Sequence, residues 1–281
     1  MPKSLNLHED RLQAIALLLR WEGEVSNARL RELFGIHFTH ASRLIAAFRA
    51  ANPYAVEDDR SRKRFLAKAL ADDANTNGGS LRHYLELLQR TGGTPPGLHL
   101  LRADPADVAP SVFAPVQQAI RAGHGVDIEY RSMRHPEPHV RRLFPHACVH
   151  TQGRWHIRAY CMMTASFRDF VLGRITWVRP VDGTSPVTPD DDAAWHTPVE
   201  FIVEPHAGLP VAQADVVRFE RFRQASAMVR GTRAALLPYV LHELRVAVDI
   251  QRQRPPDYLL MLRNRDALRP WLLDADERGQ D

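Results

Sequence analysis

The stretch Gly153-Arg154-Trp155-His156-Ile157-Arg158-Ala159-Tyr160-Cys161, followed after a five-residue turn by Phe167-Arg168-Asp169-Phe170-Val171-Leu172-Gly173-Arg174-Ile175-Thr176-Trp177-Val178, decides how the rest of this chain is read. Trp155, Ile157, Ala159 and Cys161 alternate with Arg154, His156, Arg158 and Tyr160. A strand here carries an apolar row on one face and a cationic, hydrogen-bonding row on the other. One face packs and the other is free to bind. Phe167 to Val178 is β-rich on both parities, and its separation by Met162 to Ser166 predicts a hairpin.

The triplet Trp155-His156-Ile157 resembles the Trp-Tyr-Leu signature of WYL domains, with His for Tyr and Ile for Leu. Phe144-Pro145-His146 upstream, and Phe167-Arg168-Asp169-Phe170 through Arg174-Ile175 downstream, are similar to the BrxR/CapW branch of WYL transcription regulators. The resemblance implies a small Sm-like β-barrel that senses a nucleotide or nucleic-acid ligand. By motif match and basic character its sensor residues are Tyr130, Ser132, Arg142, His146, Arg154, His156, Arg158, Arg168 and Arg174. An anionic effector (a nucleotide, a cyclic oligonucleotide or a single-stranded nucleic acid) would form charge-assisted hydrogen bonds with such a cluster. His156 in place of Tyr exchanges a hydroxyl for a titratable imidazole.

A chain of 281 residues with 44% hydrophobic content is long enough for two or three domains. Its apolar runs, such as Ala14 to Leu19 and Ala234 to Leu237, fall far short of a membrane span, and no signal-peptide segment opens it. A cytoplasmic, nucleoid-associated protein with no membrane partner is expected. Cys148 and Cys161 each sit in an apolar strand-like run, which favours buried free thiols over a disulfide or a nucleophile. Charge alternates along the chain: +4 for residues 1–70, −2 for 71–110, +6 for 111–180 and −4 for 181–281. Two basic segments separated by acidic ones suggest two places for polyanions on a molecule that is not uniformly sticky.

The first basic segment has the pattern of a winged helix-turn-helix. Leu12, Ile15, Ala16 and Leu19 predict one helix over Leu7 to Trp21. Ser26 stands at an N-cap, Leu30, Leu33 and Phe34 share a face, and Gly35 stops the second helix. A third helix from about Thr39 turns Leu44, Ile45 and Phe48 inward and His40, Ser42, Arg43, Ala46 and Arg49 outward. Two short apolar segments, Tyr54-Ala55-Val56 and Phe65-Leu66-Ala67, flank a tip whose Arg60, Arg62, Lys63 and Arg64 suit a wing on the phosphate backbone. The expected DNA contacts are therefore Ser26, Thr39, His40, Ser42, Arg43, Arg49, Arg60, Arg62, Lys63 and Arg64, with Arg43 able to make a bidentate contact to a guanine edge.

Asp72 to Ser80 is expected to be a flexible break, and Leu81 to Leu88 an amphipathic helix before Gly92-Gly93-Thr94-Pro95-Pro96-Gly97. Val112 to Ala122 predicts a helix, and Val126 to Tyr130 and Val140 to Val149 predict strands. The acidic stretch Asp182 to Ala194 marks a boundary. Beyond it, Val199 to Val203, Val246 to Ile250 and Tyr258 to Leu262 are expected as strands, and Ala212 to Arg223 and Arg233 to Glu243 as helices. That segment resembles the C-terminal extension of WYL regulators, which implies a role in dimerisation.

His135 and His139 flank two prolines, and His146 and His150 lie about 13 Å apart on a strand, so no metal site is expected. No Ser or Cys occupies a nucleophile elbow and no paired-carboxylate motif stands out, so neither an enzyme nor a cofactor is expected. The fold class expected is α+β and multidomain. It comprises a winged helix-turn-helix at 1–70, a helical linker at 71–110, an Sm-like β-barrel WYL domain at 111–180 and a small α/β dimerisation domain at 181–281. The function expected is a ligand-responsive, autoregulatory repressor of a phage-defence operon (BREX or CBASS), a homodimer on a double-stranded inverted repeat. An activator of the same architecture stays open, as does a single-stranded nucleic-acid-binding protein that stacks bases on Trp155 or Tyr160.

Overall fold

The apolar stripe at Leu12, Ile15, Ala16 and Leu19 forms helix α1 (Leu7–Trp21), over the span its spacing predicts. The computed structural model describes residues 7–68, 79–99, 108–151 and 153–272, and the chain divides into two units, Met1–Leu101 and Arg102–Asp281. Among the described residues no helix is long and apolar enough to cross a membrane.

In the first unit α1 is followed by β1 (Glu24–Ser26), α2 (Asn27–Phe34), α3 (Phe38–Ala51), β2 (Val56–Asp59) and β3 (Arg64–Ala67). Ser26 caps α2 by accepting from the Arg29 amide at 3.1 Å. Gly35 ends it in the left-handed region at φ 60°, its amide bonding the Arg31 carbonyl. Ala41, Leu44, Ile45 and Phe48 of α3 pack on Ile15, Leu18 and Leu30. The three strands form one antiparallel sheet in the order β1-β3-β2, so the wing is anchored by the strand that precedes α2.

The helix expected in the linker, α4 (Leu81–Thr91), buries Tyr84 and Leu88 in this same core. Tyr84 Oη donates to Glu22 at 2.9 Å, and Arg29 reaches the Gly93 carbonyl at 2.7 Å. Gly93 packs so closely on Leu33 that a Cβ would lie 2.4 Å from its methyl group. Most of the flexible break expected at Asp72 to Ser80 lies outside the described residues.

The second unit opens with α5 (Pro110–Ala122), then β4 (His124–Tyr130), β5 (His139–Thr151), β6 (Arg154–Cys161), β7 (Ser166–Val171) and β8 (Ile175–Thr184). These strands make an antiparallel sheet in the order β7-β6-β5-β4-β8. The expected Sm-like barrel is therefore corrected to an open sheet: among the described residues no ladder joins β7 to β8. The continuous strand expected from Phe167 to Val178 is likewise broken, because Leu172 turns fully into the core and a 3₁₀ turn spans Leu172–Arg174. The chain thus leaves the edge beside β6 and crosses to pair with β4. Val112, Val116 and Ala119 of α5 cover Val126, Ile128, Leu143, Ile157 and Phe170.

The apolar row of β6 is buried as predicted, Ile157, Ala159 and Cys161 all being inaccessible. The centre of its opposite row is not solvated: His156 and Arg158 are 8% and 9% exposed, while Arg154 at the start of the strand is exposed. The reason lies in the C-terminal segment, where β8 runs into the acidic boundary as far as Thr184 and the loop beyond brings Asp192 onto the sheet. After α6 (Ala193–His196) come β9 (Pro198–Pro205), α7 (Val211–Phe222), β10 (Met228–Arg233), α8 (Leu237–Glu243), β11 (Val246–Ala247), β12 (Leu260–Leu262) and α9 (Arg265–Leu268). Their sheet has the order β10-β9-β12-β11, with β11 and β12 parallel. Phe201, Val203, Val217, Leu237, Leu241 and Leu260 form its core. The strand β10 was not expected, and the helix expected from Arg233 begins at Leu237.

Candidate nucleic-acid interface and anion site

In the first unit Asn27, a residue sequence patterns did not single out, fixes the start of α3. Its Nδ2 donates to the Phe38 carbonyl at 2.9 Å and to Ser42 Oγ at 2.8 Å. Thr39, His40, Ser42 and Arg43 are all exposed on the outer side of α3. His40 Nε2 lies 3.5 Å from Arg11, and Arg49 stacks on the Phe65 ring of the wing at 4.9 Å. Phe38, also missed, is 56% exposed at the first turn.

Beyond Ser42 and Arg49, two more of the expected contacts have internal work. Ser26 spends its hydroxyl on capping α2. Arg64 is bound to Glu24 and, at 3.0 Å, to Asp59, so it braces the wing root. Asp59 also accepts from Ser61 at 2.6 Å, and the bonds from Ser61 and Arg64 hold its carboxyl down at about 2. Arg43, Arg62 and Lys63 are exposed with no carboxylate partner among the described residues. Arg60 is almost fully exposed, with Asp58 no nearer than 3.8 Å. These four cations and the polar side of α3 are what the unit offers to a polyanion.

The nine expected sensor residues do not form one cluster. Arg142 binds Asp127 through two bonds, at 2.8 and 3.1 Å, and Arg179 binds the same carboxylate at 3.0 Å. The Arg142 bond, then Arg179, hold Asp127 below the usual carboxylate range despite burial. Arg168 donates to Ser166 at 3.3 Å.

Arg158 and His146 converge on Asp192. Arg158 clamps it in bidentate fashion at 2.7 and 2.9 Å, and His146 Nε2 lies 2.9 Å from Oδ2. Arg158 also reaches Asp169 at 3.3 Å, whose other oxygen accepts from Tyr239 of α8 at 2.9 Å. Burial pulls the Asp192 carboxyl up, but Arg158 and His146 outweigh it and hold the group well below its ordinary value. Asp169, with its single longer Arg158 bond, is raised by burial. His156 packs on the Tyr239 ring at 4.9 Å, and its buried Nδ1 has no hydrogen-bond partner among the described residues. Burial first, then Arg154 and Arg174, depress its pKa to about 4, so its imidazole is neutral at pH 7.

Tyr130 and Ser132 belong to a third group, built around Arg141, which the sequence pattern does not single out. Arg141 is 6% exposed and lies 5.7 Å from the rings of both Tyr130 and Phe170. Its Nε donates to His139 Nε2 at 2.7 Å, while His139 Nδ1 donates to the Glu137 carbonyl at 3.1 Å. The His135 ring contacts His139, and Ser132 Oγ accepts from the His135 amide at 3.0 Å. No carboxylate reaches Arg141 among the described residues. A buried cation lacking a counter-charge is costly, and an arriving anion would relieve that cost. In β5 Arg141 shares the inward row with Leu143, whereas Arg142 points the other way.

Trp155 and Tyr160, the rings proposed for base stacking, pack internally. Trp155 meets Phe113 edge-on at 5.3 Å and Tyr160 meets Phe167 at 5.4 Å.

Family models match in three places: the winged helix-turn-helix domain of the BrxR transcriptional regulator over residues 8–90, the WYL domain over 111–180, and the C-terminal dimerization domain of BrxR over 198–268. The DNA-binding transcriptional repressor CapW of Pseudomonas aeruginosa is 32% identical over 272 residues, 93% of this chain and 90% of that protein. CapW of Escherichia coli strain KTE188 is 30% identical, covering 92% and 90%. CapW of Stenotrophomonas maltophilia is 27% identical, covering 93% and 91%.

Proposed function

The chain belongs to the family of CapW DNA-binding transcriptional repressors, and we propose that it is a homodimeric repressor that reads an inverted repeat with α3 and is released by an anionic effector held near Arg141. The observation that carries the DNA-binding half is the polar side of α3, pinned by Asn27 and followed by a wing whose Arg60, Arg62 and Lys63 point to solvent. Residues at the start of a recognition helix read base edges, and wing cations neutralise phosphates. A twofold dimer then spaces half-sites one helical turn or a multiple apart.

Effector sensing rests on Arg141, which has no carboxylate partner among the described residues, with Tyr130, Ser132 and His139 around it, a set able to give an anion charge-assisted bonds. The effector class is a nucleotide, a cyclic oligonucleotide or a single-stranded nucleic acid. It must bind the DNA-incompetent dimer more tightly than the competent one, since equal affinity shifts nothing. Resemblance to the BrxR/CapW branch extends the proposal to repression of a phage-defence operon that includes the protein's own gene.

The test is selection of genomic DNA by the full-length protein at about 0.15 M salt, where non-specific phosphate binding is weakened. Enrichment of an inverted repeat overlapping a promoter is expected. Enrichment upstream of the promoter would make the protein an activator, and uniform retention or preference for single strands would overturn the reading.

A further inference from the structure

We propose that Phe38, the first residue of α3, determines specificity by packing its ring on the C5-methyl group of a thymine in the operator; this rests on the reading of α3 as the helix that enters the major groove. Among the described residues of the first unit, Phe34, Phe48 and Phe65 lie in the core or pack against it, whereas Phe38 does neither and is 56% exposed. The ring stands outside the core, yet its backbone is fixed. Asn27 donates to the Phe38 carbonyl at 2.9 Å and to Ser42, one turn further on, at 2.8 Å. A braced turn therefore presents the ring, so seating it on a base requires little further ordering of the chain.

Duplex DNA is the occupant because of what surrounds Phe38. Thr39, Ser42 and Arg43 are exposed on the same helix, and the wing of the same unit offers Arg60, Arg62 and Lys63 to phosphates. A phenyl ring carries no donor and its face is negative, so a phosphate gains nothing from it. The apolar feature of the major groove is the thymine methyl, and Phe is among the side chains suited to it. Phe38, Ser42 and Ala46 recur at every fourth residue on the exposed side of α3, and none of them is charged. Arg43 follows Phe38 by little more than one turn, about 7.5 Å along the helix. Base pairs stack about 3.4 Å apart, so the thymine read by Phe38 lies within about three base pairs of the base read by Arg43.

The experiment titrates full-length wild type, Phe38→Ala and Phe38→Leu against the selected operator at about 0.15 M salt. Each operator thymine is replaced in turn by uracil, which lacks only the C5-methyl group. In wild type one such replacement in a half-site is expected to weaken binding about fourfold, the value of one buried methyl group. Phe38→Ala is expected to bind the unmodified operator roughly tenfold more weakly and to lose nothing further at that thymine. Phe38→Leu, still apolar, is expected to keep part of the response. Because the ring is exposed, unchanged melting of both variants separates lost reading from lost folding. A wild type indifferent to every uracil, or a uracil effect undiminished in Phe38→Ala, would overturn the assignment of Phe38 while the DNA reading stands. A wild type that retains all duplexes alike would instead overturn that reading, and the role of Phe38 with it.

Discussion

Arg141 and Arg158 are buried to nearly the same degree yet stand in opposite electrostatic states. Arg158 touches three carboxylate oxygens of Asp192 and Asp169, whereas Arg141 has a histidine nitrogen and two aromatic faces. Arg158→Ala leaves Asp192 buried without its main counter-charge, so it is expected to lower stability by about 3–5 kcal/mol, read from the denaturation midpoint. Arg141→Gln removes a charge that has no carboxylate partner among the described residues. Its stability is expected to stay within about 1 kcal/mol of wild type, while a reporter in cells no longer responds to the inducing signal. A loss in Arg141→Gln as large as in Arg158→Ala would show that Arg141 has an internal structural role instead.

The reading helix and the wing are separable elements with separable readouts. Arg43→Ala on α3 is expected to cost about 1–3 kcal/mol at one base position and to relax preference there. Paired neutralisation of Arg62 and Lys63 is expected to weaken binding to all sequences alike and to lower the salt slope by about 2. Titration of the selected operator and of single-base variants across salt measures both, and a sequence-dependent loss from the wing variant would reverse the two roles. The helices of this unit were legible because local spacing and caps specify them: Leu30 and Leu33 between Ser26 and Gly35 define α2 without any distant partner. The strands were legible only where both flanks packed. β10 is not legible in the sequence because it is an edge strand with Gly231 at its centre and little burial, so alternation leaves no trace. The break at Leu172–Arg174 was hidden because it depends on β8 pairing with β4, more than forty residues earlier in the chain. Between neighbouring Arg141 and Arg142, only the register of β5 tells which points inward.

At the scale of the whole molecule, acid is expected to act on the second unit in two windows. The folded-state pKa of His156 lies at about 4 against 6.5, so its neutral form is favoured by folding. That contribution is present above pH 6.5 and is lost as pH falls towards 4. Asp192 is also depressed, so its contribution persists above its unfolded value of 3.8 and is lost only below it. Melting temperature followed across pH should therefore carry a His156 loss between 6.5 and 4, which the raised Asp169 carboxyl works against, and a separate Asp192 loss below 3.8. His156→Gln should flatten the first window and leave the second, and coincident curves for the two proteins would refute this. The Arg158–Asp192 clasp has a consequence for how such regulators are recombined. A chimera joined at residue 181, where the charge and composition change, would carry the cation from one parent and its counter-ion from another. Where the second parent lacks an acid at position 192, the graft inherits a stranded guanidinium beneath a foreign lid. Sensor modules will therefore exchange cleanly only when the crossover falls beyond His196, so that His146, Arg158 and Asp192 travel as one heritable unit.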